Sequence, residues 1–113
     1  MRRQKTYAAA SGYVYQYFYL GHRAFRTRTA RGTEYVFEVT SDRRVFRPVS
    51  ILLAEIPLAG WEARHGRALV GAERYAIAKM TLFQAFDERA EVAGELLVRP
   101  ADVEAILETL GIE

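Results

Sequence analysis

A chain of 113 residues, half of them hydrophobic and 27% charged, has the length and balance of one ordinary globular domain and excludes a disordered or fibrous architecture. With no cysteine there is no disulfide, thiolate nucleophile or sulfur-bound zinc, and no apolar run approaches the ~20 residues of a membrane span. The net charge of +2 hides an asymmetry: residues 1–50 carry ten Lys or Arg against three acids, and residues 51–113 carry six against eleven, a split that points to an anionic partner.

The opening "MRRQKTYAAASG" is basic but has too short an apolar stretch for a signal peptide. Residues 1–11 are expected to be a flexible lead into a single domain, 1–113, with the cytoplasm as default compartment. From Gly12 to Phe25 the residues are β-branched and aromatic with period-2 alternation, which predicts a long first strand. One of its faces carries Tyr13, Tyr15, Tyr17 and Tyr19, the other Val14, Gln16, Phe18 and Leu20. Both faces are apolar, so alternation alone leaves open which one is buried.

"RTRTARGT", Arg26 to Thr33, lacks periodicity and is expected to be a loop. "EYVFEVT" then sets Tyr35, Phe37 and Val39 against Glu34, Glu38 and Thr40, the mark of a strand with one wet face. A third strand is expected from Arg44 to about Ala54, with Val45, Val49, Ile51 and Leu53 on one face and Pro48 marking an edge or bulge. A loop of Ser41 to Arg43 would place Val39 opposite Val45 and Tyr35 opposite Val49.

Residues 55–71, with one proline and three glycines, are expected to be a connection with a short helical piece around Trp61. From Ala72 to Ala90 the apolar positions recur at three- and four-residue spacing, predicting a long helix with a broad buried face. "ELLVR", Glu95 to Arg99, is a candidate fourth strand. Pro100 and Gly111 then bracket a shorter terminal helix. The order predicts an α+β fold: a three-stranded antiparallel sheet, four-stranded with Glu95–Arg99, and a long and a short helix packed on one face.

No specific catalytic or ligand motif is present. The leading functional expectation is a non-catalytic nucleic-acid-binding domain, in which Arg23, Arg26, Arg28 and Arg31, joined by Arg43 and Arg44, neutralise phosphates. Tyr15, Tyr17 and Tyr19 would offer stacking surfaces beside them. The alternative is a protein-interaction or self-association module using the same Tyr/Arg surface, since both residue types are enriched in interfaces. A third reading, a small hydrolase using His22 or His65, rests on imidazole chemistry alone. No cofactor, metal or membrane partner is implied.

Overall fold

The computed structural model describes residues 3–89 and 91–113. The elements in chain order are β1 (Lys5–Ala8), β2 (Val14–Arg26), β3 (Arg31–Thr40), β4 (Arg47–Ala54), α1 (Glu55–His65), α2 (Gly71–Glu88), β5 (Gly94–Leu97) and α3 (Pro100–Thr109). They build an α+β fold on a five-stranded sheet of order β1-β2-β3-β4-β5. The first four strands form an antiparallel meander, and β5 joins β4 in parallel after the two intervening helices, as a parallel pairing requires a long crossover.

Two strands flank the expected three. The short run before Arg99 does add a strand, and a further one forms within the segment expected to be a flexible lead. There Lys5–Ala8 pairs with Val14–Tyr17. Tyr7 accounts for it: its ring stacks on Phe83 at 4.2 Å and its hydroxyl donates to the Asp87 carboxylate at 2.9 and 3.0 Å. Residues 1–2 of that lead, and Ala90 at the expected end of the long helix, lie outside the described residues.

The loop expected over Arg26–Thr33 shrinks to Thr27–Ala30, because Arg31 to Thr33 are already paired with β2. Thr27 closes the turn, its backbone N–H donating to Ala30 O at 2.7 Å and its Oγ1 accepting from Ala30 N at 3.0 Å. The β3–β4 register also differs from expectation, by two residues: Val39 faces Arg47, Phe37 faces Val49 and Tyr35 faces Ile51. A slip of two keeps every side chain on its own face, so Phe37 and Tyr35 still meet apolar partners, while Val39 meets Arg47 and Val45, expected on the buried face, is 52% exposed in the loop. The cause is Asp42, whose Oδ1 accepts from the N–H groups of Arg44 and Val45 at 2.8 and 3.0 Å. With Arg43 in the left-handed region at φ 66°, this holds Ser41 to Phe46 out of the ladder.

The connection around Trp61 is a full helix. Pro57 stands at the third position of α1, where its missing N–H costs no intrahelical bond, and Gly66 closes the helix at φ 69°, its N–H donating to Glu62 O. Leu58 and Trp61 from α1, Ile77, Leu82 and Phe86 from α2, and Val103, Ile106 and Leu107 from α3 join one buried cluster with Tyr15, Tyr17, Tyr35, Phe37, Val49 and Ile51 of the sheet. All three helices therefore lie on the face that carries the tyrosines.

Candidate interaction surfaces

The helices settle which face of β2 is buried. Tyr15 and Tyr17 are 1% and 3% exposed, Tyr15 stacking on Phe86 at 4.1 Å and Tyr17 meeting Phe37 and Phe83 edge-on. Burial pushes the Tyr17 phenol up to about 12. The Tyr15 hydroxyl donates to Arg89 O at 2.6 Å. Tyr19 is half-buried, packed against Tyr75 and Phe37, with its hydroxyl and His22 Nδ1 sharing a hydrogen bond of 3.0 Å. The expectation that Tyr15, Tyr17 and Tyr19 present stacking surfaces is thus corrected: α2 already fills the space a base would need, Tyr15 and Tyr17 are core, and Tyr19 packs half-buried against it.

The arginines are also redistributed. Arg26 and Arg31 face each other across the end of the β2–β3 ladder, with Arg28 on the turn between them. Arg43 and Arg44 sit in the β3–β4 loop, at the opposite end of the ten-residue β3, about 30 Å away at strand rise. The six expected phosphate ligands therefore do not form one patch. Arg23 is committed elsewhere, its guanidinium donating to both Glu34 oxygens at 3.0 and 3.3 Å. Arg23, with help from Ser50, holds the Glu34 carboxyl below its ordinary range. Among the described residues, no salt bridge engages Arg26, Arg28, Arg31, Arg43 or Arg44.

The histidines occupy unrelated settings. His22 lies on β2 against Tyr35, whereas His65 ends α1, stacked on Trp61 at 4.1 Å with Nε2 3.5 Å from a Glu104 oxygen. Among the described residues no group of three or more His, Asp or Glu side chains is placed to hold a metal ion, and no helix is long and apolar enough to cross a membrane.

Helices on one side of the sheet imply a free face, and what the sequence leaves open is which residues form it. The face of the sheet away from the helices carries Phe18 of β2, Val36 of β3 and Leu52 of β4, all partly exposed, with Val14 half-exposed at its margin. Phe46 folds from the β3–β4 loop to within 5.9 Å of the Phe18 ring. The charges among them are Glu34, covered by Arg23, Glu38, opposite Phe18, and the exposed Glu95 of β5, opposite Ser50. The signal was present in the alternation of Val14, Phe18 and Leu20, and of Ser50 and Leu52, but it could not be assigned outward while the tyrosines competed for that role.

Comparison of the chain with protein-family models, curated proteins and solved structures gave no match in any of the three.

Proposed function

We propose that this chain is a non-catalytic interaction domain whose open sheet face docks against the same face of a second copy. The observation that carries the reading is the one-sided placement of the helices, which leaves Phe18, Val36, Phe46 and Leu52 partly exposed on the face that no described helix covers. An open face of this kind is a two-sheet sandwich lacking its second layer. Strands about 4.8 Å apart and about eight residues long give a projected face on the order of 500 Å2. With side-chain relief and the flanking loops, that approaches the roughly 800 Å2 per partner of a standard interface. Self-docking is favoured because a twofold contact sets the apolar Phe18, Val36 and Leu52 against their own copies, with Arg23 of the same face already paired to Glu34.

Nucleic-acid binding keeps a weaker claim, resting on the unpaired Arg26, Arg28 and Arg31 at one hairpin without the aromatic platform. The test is molecular mass in solution by light scattering or sedimentation, for the wild type and for Phe18→Lys. The introduced amine would sit opposite Glu38, a favourable cross-strand pair, so the variant should stay folded. The expected result is twice the 12.9 kDa chain mass for the wild type and a monomer with unchanged circular dichroism for the variant. A wild type that remains monomeric at high micromolar concentration overturns the reading. Co-purifying nucleic acid that salt releases would favour the arginines instead.

A further inference from the structure

At one end of the sheet, and bordering its open face through Leu97, the partner of Leu52, the described residues form a groove of about 650 Å3 where the β2–β3 turn, the β4–α1 junction and the start of α3 converge. Its walls include Ile56, Pro57, Leu97 and Pro100. Ile56 and Leu97 are among the most exposed large apolar side chains in the protein, at 79% and 56%. Arg26 and Arg31 line the same groove. Most natural ligand sites are of this size and make-up, largely apolar with a small number of placed polar groups.

The charge in this groove is unbalanced in a specific way. Arg26 and Arg31 are direct cross-strand partners, and like charges in that position oppose each other. No carboxylate among the described residues pairs with either. The one acid in the groove wall, Glu55, is turned to Arg74 at 3.1 Å. An anion lodged between the two guanidiniums would relieve the repulsion and gain charge-assisted hydrogen bonds, while an attached aliphatic chain would cover Ile56 and Leu97.

The geometry points to a binding site for a free aliphatic carboxylate, its head group held by Arg26 and Arg31 and its chain lying over Ile56, Leu97 and Pro100. Titration calorimetry with octanoate, decanoate, decanol and a short peptide ending in Leu-Ile tests it, all below micelle-forming concentrations. Decanoate should bind saturably at one site and more tightly than octanoate, by about fourfold for each added methylene. Decanol, lacking the carboxylate, should bind at least tenfold more weakly. Arg26→Ser/Arg31→Ser should abolish the preference for decanoate over decanol while raising the melting temperature of the unliganded protein, because the cross-strand repulsion is gone. Absence of saturable decanoate binding, equal affinity for decanol, or indifference to the double substitution overturns the assignment. Tighter binding of the peptide than of decanoate also overturns it and assigns the groove to a protein C-terminus.

Discussion

At Gly32 the backbone of β4 leaves no room for a side chain: a Cβ there would overlap the Leu53 carbonyl oxygen and stand 2.8 Å from Ala54 Cα. Both neighbours are backbone, so they cannot swing aside as a side chain would. Gly32→Ala should therefore destabilise the fold by about 1–3 kcal/mol, measured by denaturant unfolding. Gly71→Ala is the control: it opens α2 with nothing within 4 Å of an added Cβ, and should stabilise by up to about 1 kcal/mol. A second residue-scale prediction concerns Glu73. Its carboxylate accepts two hydrogen bonds from Arg67, both at 2.9 Å, and one from the Val70 N–H at 3.0 Å. Arg67 first, then Val70, lowers its pKa from 4.5 to about 2. A depressed folded-state pKa means that the stabilisation is complete above 4.5 and drains away as pH falls toward 2. Unfolding free energy measured across that window should decline in the wild type and decline less in Glu73→Gln; equal slopes would show that the carboxylate contributes nothing there.

The elements of the fold were legible in the sequence where a single pattern governed them and obscure where two patterns competed. β3 sets Tyr35, Phe37 and Val39 against a mixed face carrying Glu34 and Glu38, and its helix-covered side follows from that contrast alone. β2 offers two apolar faces, and the choice between them is made by residues far away in the chain. Phe83 and Phe86 of α2 and Phe37 of β3 supply the aromatic partners that the tyrosines fit. A bulge adds to the difficulty: after Tyr19 the register with β3 shifts at Gly21, whose φ is 127°, so that strict alternation does not run the length of the strand. β1 was invisible for a related reason, since of its four residues only Tyr7 is even partly buried, and it packs on α2 rather than following a pattern of the strand's own. The four tyrosines should therefore differ sharply in worth. Tyr17→Ala removes a core ring and should cost about 3–5 kcal/mol. Tyr13→Ala, at a side chain 45% exposed, should cost under about 1 kcal/mol. Similar losses at the two positions would contradict the buried ladder.

At the scale of the whole molecule, the basic first half of the chain becomes the meander and the acidic second half supplies every helix. The meander then divides its own charge, placing Arg26, Arg28 and Arg31 at one end of the sheet and Arg43 and Arg44 at the other. Consecutive hairpins of an antiparallel sheet turn at opposite ends, so the predicted strand order itself separates these two groups of arginines, although net charge along the chain reads as a single cationic patch. This division separates the two binding readings by their response to salt. A duplex gripped at one end of the sheet releases the counterions of at most three phosphates, so its log affinity should fall with log salt at a slope no steeper than about −3. A slope beyond −4 would require both ends at once, across a distance of about 30 Å. The proposed dimer behaves differently. Its buried surface is apolar around a preformed Arg23–Glu34 pair, and counterion release plays little part in forming it. The dimer mass should be unchanged between 50 mM and 1 M sodium chloride, where the Debye length shrinks from more than 10 Å to about 3 Å. A dimer that dissociates over that range would place the contact on the arginine hairpins and remove it from the sheet face.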